Sequence, residues 1–438
     1  MKKKLIYLVL CSNLLLSCSV SDWLTIQPQD TLAKEEMFAS KQGFYDALYG
    51  VYTTSRTNYN HNGHLMSNFI EYLASQWEVQ SGTPQEDMKY HEYGTLDAQI
   101  ATIFTNEYKT IANINLMLSY LETQTFLTKA EYEQIKAECL ALRAWLHFDL
   151  IRMWGPIPGK INMSKKYLPY VTELTYDRNN ALYYGPYIEK LQNDMNEAES
   201  LFANYPEFTS FRLGKWGVLA LQARINFWLG NKDLANQYAM TILNYSQNEG
   251  KDQFQLGKLD NIGAKDYRFT KEHLFGIHVD FTTKPFTNTL YNTTAYLDQL
   301  FEYNASDIRV ELWKDRTQVG LQEPAKNPLK YSEGEGSVSI VRLSEIYFIA
   351  METGTLEQAN ELYQLFTTVR GLSFTQMTSM DQVKEILLNE YRKEFISEGV
   401  LFYYYKYKSL TRMPRNSHIC TDDCYVLPLP KKEINVNG

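Results

Sequence analysis

Cysteine is scarce in this chain, five among 438 residues. Cys11 and Cys18 fall in the first twenty positions, leaving Cys139, Cys420 and Cys424. Three thiols do not make a disulfide framework, although Cys420 and Cys424 could close a small loop in an oxidising compartment. Basic charge is also short: 43 Lys and Arg face 51 Asp and Glu, and beyond the N-terminal lysines no basic run exceeds two residues. Phosphate neutralisation dominates affinity for nucleic acid, so nucleic acid is excluded as a ligand. Catalytic spacings are missing too. Gly334-Glu335-Gly336 lacks the rest of either nucleotide-binding pattern, and neither His-Glu-x-x-His nor Cys-x-x-Cys occurs. His61 and His64 read as solvated loop histidines, and acidic pairs such as Glu86-Asp87 as surface solvation. No metal, no cofactor and no enzymatic activity are expected. What is abundant is apolar surface: 44% of the residues are hydrophobic, with 33 tyrosines. That is enough to bury a large core, which rules out a disordered or collagen-like chain.

Long apolar runs are confined to the start. Lys2, Lys3 and Lys4 precede an apolar stretch at 5–16, far short of the ~20 residues that span a bilayer. Residues 1–17 therefore read as an export signal. It ends Leu15-Leu16-Ser17-Cys18, which resembles the lipobox at which bacterial lipoproteins are cleaved and their cysteine acylated. Loss of the three lysines leaves 40 basic against 51 acidic residues, a net charge of −11. Several acyl chains on Cys18 would hold the chain on a membrane without a spanning helix. Ser19, in place of the Asp associated with inner-membrane retention, points to the outer membrane.

Helical periodicity organises the rest. Residues 97–122 place Ile100, Phe104, Tyr108, Ile111, Leu118 and Leu121 on one stripe, and 129–154 repeat it through Leu142, Leu146, Leu150 and Met153 before Gly155-Pro156. Residues 212–245 have the length of one tetratricopeptide repeat, with Trp216, Ala220, Ala223 and Phe227 before Gly230 and Ala235, Ala239 and Ile242 after it. A similar pair covers about 338–371. Such repeats bury their faces only by stacking. The expected fold is all-α, an α/α superhelix of tetratricopeptide-like pairs, with irregular loop insertions at about 56–96 and 250–335.

Further blocks occur in a fixed order. Asp22-Trp23-Leu24 leads to Pro28-Gln29-Asp30, followed by Ala47-Leu48-Tyr49-Gly50-Val51-Tyr52. Ala141-Leu142-Arg143-Ala144-Trp145 precedes Phe148-Asp149-Leu150-Ile151-Arg152 and Trp154-Gly155-Pro156. Asp307-Ile308-Arg309, Lys330-Tyr331, Val341-Arg342-Leu343, Val369-Arg370-Gly371 and Arg392-Lys393-Glu394-Phe395-Ile396-Ser397-Glu398-Gly399 complete the series. In order and spacing these resemble the SusD/RagB family of lipoproteins over nearly the whole chain, 18–438 forming one SusD-like domain. The sequence departs from the family after Gly399, where a basic residue and an Asp usually follow and Val400-Leu401-Phe402-Tyr403-Tyr404 stand instead. The resemblance implies an outer-membrane lipoprotein facing the cell exterior. It would bind an oligosaccharide and serve as the lid of a SusC-like TonB-dependent transporter. An oligopeptide-binding lid, or a tetratricopeptide-type adaptor for a protein partner, is the alternative.

Sugar faces stack on exposed rings beside hydrogen-bonding side chains. Aromatics at helical spacing read as repeat packing, so the candidate platform comes from the insertions: Tyr59, Tyr72, Gln76, Trp77 and Tyr90 in the first, Phe286, Tyr291 and Tyr296 in the second. Trp77 leads, and its removal is expected to leave folding nearly unchanged. Arg143, Asp149 and Arg152, with Arg392, Glu394 and Glu398, read as interhelix ion pairs of the scaffold. A first prediction concerns anchoring: Cys18→Ala releases the mature chain from the outer-membrane fraction. Membrane association that survives a high-salt wash in this variant would refute the lipid anchor.

Overall fold

Helix boundaries follow side-chain chemistry. Thr128 accepts a hydrogen bond from the backbone N–H of Glu131 while the Glu131 carboxylate accepts one from the N–H of Thr128, a reciprocal cap that starts the helix Lys129–Trp154 where the sequence placed it. Gly230 lies in the left-handed region at φ 79°, the conformation that lets one repeat helix end and the next begin at Lys232. The computed structural model describes residues 34–433 apart from 60–63, 176, 281–289, 318–322 and 332–334. The signal segment, Cys18 and Phe286 lie outside the described residues.

In chain order the helices are α1 (Lys41–Tyr59), α2 (Phe69–Leu73), α3 (Pro84–Lys89), α4 (Asp97–Thr123), α5 (Lys129–Trp154), α6 (Tyr184–Phe202), α7 (Lys215–Leu229), α8 (Lys232–Gln247), α9 (Leu259–Gly263), α10 (Thr294–Leu300), α11 (Leu343–Thr353), α12 (Leu356–Val369), α13 (Met380–Glu394), α14 (Leu401–Lys408) and α15 (Asp422–Tyr425). Strand β1 (His273–Asp280) pairs antiparallel with β5 (Glu335–Arg342), with Ile277 opposite Val338. A second small sheet has the order β2 (Asn292–Thr293), β4 (Ala325–Pro328), β3 (Trp313–Asp315). Among the described residues no helix is long and apolar enough to cross a membrane.

The body is helical, as the periodicity requires, and α5 is its axis. Every residue from 137 to 154 is buried, because α4, α6 and α7 all pack against it. A helix covered on all sides must satisfy its own polar groups. Arg143 does so across to α6, with Nε and Nη2 each 2.7 Å from the Asp194 carboxylate and Nη1 2.9 Å from Asn115. Asp149 and Arg152 pair within α5 itself rather than between helices. The repeats stack as expected: Arg224 of α7 forks onto Glu345 of α11 at 2.7 and 2.5 Å, and Asn236 of α8 donates to the Ala350 carbonyl at 3.1 Å. Beyond Gly399, Tyr403 lies 3.8 Å below the Arg152 guanidinium and Tyr404 stacks on Tyr391 at 3.7 Å.

Among their described residues both insertions also carry short regular elements. The first holds the end of α1 followed by α2 and α3; helices of five or six residues are too short to leave a periodic signature. Around the second, β1 leaves the body and β5 returns to it. At that root lies a buried charge network. Arg342 donates to Glu272, Glu394 and Glu398 at 2.6, 2.8 and 2.7 Å, and Arg370 to Glu272 and Glu394 at 2.7 and 2.6 Å. Arg309 reaches Asp307 and Glu390, both at 2.7 Å, and Glu394 at 3.1 Å. Burial by itself would raise the Glu394 carboxyl, but Arg370, Arg342 and Arg309 outweigh it and hold it well below the usual range. Arg392 is absent from this network, a correction to the scaffold pairing read from the sequence. Neutralising one guanidinium strands carboxylates without solvent. Arg370→Met is thus expected to cost roughly 3–5 kcal/mol, read as a lower melting temperature; a parent-like melt would show the network to be dispensable.

Candidate functional site

The two insertions meet at a seam. The N–H of Glu78 donates to the Tyr291 carbonyl at 3.1 Å, which sets residues 76–78 of the first insertion beside 291–296 of the second. Gln76 Oε1 accepts from the Tyr296 hydroxyl at 3.1 Å and from Arg392 Nε at 3.2 Å. Arg415 donates to the Gln76 carbonyl at 2.5 Å and also to Asn292 and Glu78. Its guanidinium lies 3.8 Å over the Tyr296 ring, and Arg316 lies 4.1 Å over Tyr291. Gln76, Tyr291 and Tyr296 are thereby brought together, as the sequence suggested. One face of each tyrosine is already covered by an arginine.

Three of the other candidate rings are core, which corrects the expectation. Trp77 is 2% exposed; its Nε1 donates to Glu71 at 2.8 Å and its ring packs 5.8 Å from Trp313. Polar flanks suggested exposure, but successive side chains here point to opposite sides, so Gln76 and Glu78 reach the seam while Trp77 turns inward. Tyr72 is buried within α2. Tyr59, the last residue of α1, is buried against α5, with its hydroxyl on Asp149. Tyr90 is 37% exposed at the end of α3 and makes none of the seam's hydrogen bonds.

A ring that the sequence reading passed over is well exposed. Tyr303 is 74% exposed, beside a hollow of about 210 Å³ that Leu297, Asp298, Phe301, Asn304, Trp313 and Lys326 help to line. Glu302 and Tyr303 both adopt positive φ, 56° and 55°, uncommon for large side chains. The turn is held by the Tyr303 N–H on the Asp298 carbonyl at 2.7 Å, and it lifts the ring off the end of α10. Trp313 belongs to the hollow and also touches Trp77, which links hollow and seam. A larger hollow of about 400 Å³ lies on the helical body between α1 and β1, lined among others by Tyr45, Asp46, Tyr49, Arg56, Phe211 and His278.

Glu71 joins the first insertion to the turn after α13. It accepts from the backbone N–H groups of Gly399 at 2.8 Å and Ser397 at 3.2 Å. Gly399 is at φ 68°, and a Cβ there would stand 2.1 Å from the Leu65 carbonyl oxygen, so only glycine fits. Burial raises the Glu71 carboxyl to about 7 despite these donors. For an acid whose folded value is raised, stability is greatest below the unfolded value near 4.5 and falls as pH rises toward 7. Denaturant melts across this window should show Glu71→Gln gaining on the parent as pH rises, by up to about 3 kcal/mol. A difference constant with pH would contradict the assignment.

Comparison with known proteins agrees with this architecture. Residues 22–227 match the model of a SusD-like family described as starch-binding and associating with the outer membrane. A SusD-like protein of Formosa agariphila, P38, is 23% identical over 235 residues, 51% of this chain and 42% of that protein; the match spans less than half of the relative's length. A SusD superfamily protein from Bacteroides thetaiotaomicron superposes with a TM-score of 0.75 at 20% identity, covering 91% of this chain and 98% of its own. A laminarin-binding SusD-like protein does so at 0.67 and 15%, covering 90% and 97%. At these identities the structural likeness speaks for the fold. Residues 22–227 thus carry the match to the SusD-like family, and the described body has the fold of SusD superfamily proteins.

Proposed function

We propose that this protein is a cell-surface lipoprotein, cleaved after residue 17 and tethered through Cys18. It binds an oligosaccharide on the second insertion and delivers it, as a lid, to a TonB-dependent transporter of the outer membrane. The observation that carries the reading is Tyr303, 74% exposed at a hollow with Asp298, Asn304 and Lys326. A flat apolar face with hydrogen-bonding groups at its rim suits a sugar ring. The seam would extend the site with polar edges: the Tyr291 and Tyr296 hydroxyls, Glu78, and the guanidinium groups of Arg316, Arg392 and Arg415. Binding without chemistry accords with an arrangement of fixed donors and rings.

A calorimetric titration with laminarin and with malto-oligosaccharides, alongside an oligopeptide, tests the cargo class. Stacking on one ring supplies on the order of 1–3 kcal/mol, so Tyr303→Ala should weaken glycan binding about 5- to 150-fold. Its melting temperature should match the parent's, because an exposed ring holds little of the core together. Tyr49→Ala, in the larger hollow, should bind like the parent. Loss of binding in Tyr49→Ala alone would move the site to the helical body, and heat only with the peptide would replace glycan by peptide.

A further inference from the structure

A separate cluster of chemistry lies where the C-terminal loop meets the first insertion. Cys420, in the loop, and Cys424, in α15, are 7% and 2% exposed. His91 follows α3, and its ring nitrogen and the two Sγ atoms all lie within 4.8 Å of one another. The sulfurs are unbonded to each other. Both cysteines sit on pinned backbone: the Cys420 N–H donates to the Thr411 carbonyl at 2.9 Å, and the Cys424 carbonyl accepts from the Tyr93 hydroxyl at 2.6 Å. His91 itself is held at φ 61°, a conformation uncommon for a residue with a side chain.

The imidazole is oriented as a ligand would be. Its Nε2 is 3.0 Å from the Leu73 carbonyl oxygen. A carbonyl only accepts, so Nε2 carries the proton and Nδ1 keeps its lone pair. Nδ1 is buried and faces the Cys424 thiol. Donation of the far N–H to a backbone carbonyl is the outer contact that metal-binding histidines make, and it fixes the tautomer and the ring plane together. A disulfide between Cys420 and Cys424 would use both sulfurs and leave Nδ1 with nothing, whereas a cation engages all three groups. Two sulfurs and one imidazole nitrogen select a thiophilic ion with tetrahedral preference. Bonds near 2.3 Å to sulfur and 2.0–2.1 Å to nitrogen imply donor separations of roughly 3.5 Å, so the three donors would draw inward by about 1 Å.

We propose that Cys420, Cys424 and His91 bind one Zn²⁺ ion, with water in the fourth position, clipping the C-terminal loop to the first insertion. Both thiols lose their protons to solvent as the ion binds. The site holds residues 411–425 against α3, and the same loop presents Arg415 to the seam.

Cobalt titration of the full chain, purified in detergent under reductant, tests this. One equivalent of Co²⁺ should produce thiolate-to-cobalt charge-transfer absorption in the near ultraviolet and tetrahedral bands in the red, both erased by Zn²⁺. Cys424→Ser and Cys420→Ser should each abolish the charge-transfer band, and His91→Ala should weaken binding at least tenfold. Circular dichroism of each metal-free variant establishes that it is folded, and Zn²⁺ should raise the melting temperature of the parent alone. A reduced, folded parent that gives no cobalt spectrum would overturn the proposal, as would bands that persist in both cysteine variants. A Cys420–Cys424 disulfide found by mass spectrometry, in a chain that binds no cobalt after reduction, would overturn it in favour of a redox staple.

Discussion

The charge network at Glu272, Arg342, Arg370 and Glu394 is the constraint on which the rest depends. Glu272 immediately precedes β1 and Arg342 is the last residue of β5, so the strands that bound most of the second insertion start and finish on the same ion cluster. Arg370 closes the repeat helix α12 and Glu394 ends α13. One set of bidentate bonds therefore locks a non-helical excursion onto the helical stack. Burying so many charges is costly in itself, and replacement by apolar groups of equal volume could be as stable. What the guanidinium forks add is direction: they admit one relative placement of strand, repeat and insertion.

From that root the order passes outward to the surface. The second insertion brings Tyr291, Asn292 and Tyr296 to residues 76–78, and Arg415 and Arg392 bridge them. Beneath the seam, the Trp77–Trp313 contact and the Glu71 hydrogen bonds hold both insertions to the turn at 397–399. Rigid support under a polar, ring-bearing surface is what lets a binding protein recognise a weakly interacting ligand without first ordering its own loops. The buried Trp77 thus supports this surface from beneath and presents no open face to solvent.

Much of this was legible in one dimension, for reasons of period and local chemistry. The helices at 97–123 and 129–154, the repeat pair around Gly230 and the pair at 343–369 announce themselves through apolar spacing, caps and a glycine that can turn left-handed. The ordered motif blocks are likewise linear signals. Short helices and two-residue strands inside the insertions carry no period long enough to register, so both insertions read as loops.

What only tertiary structure decided is where isolated side chains end up. Trp77 between Gln76 and Glu78 and Tyr303 between Glu302 and Asn304 look alike in sequence, yet one is 2% and the other 74% exposed. The first is claimed by a carboxylate and a tryptophan from elsewhere in the fold; the second is lifted out by a strained turn at the end of α10. Arg392 lies next to an ion network and joins the seam instead, since its direction depends on which face of α13 meets each insertion. His91 and the pair Cys420 and Cys424 are far apart in the chain and form no motif until packing brings them within 4.8 Å. Periodicity and capping are properties of neighbours along the chain and so can be read from it. Exposure, pairing and convergence are properties of neighbours in space, and the fold alone supplies those.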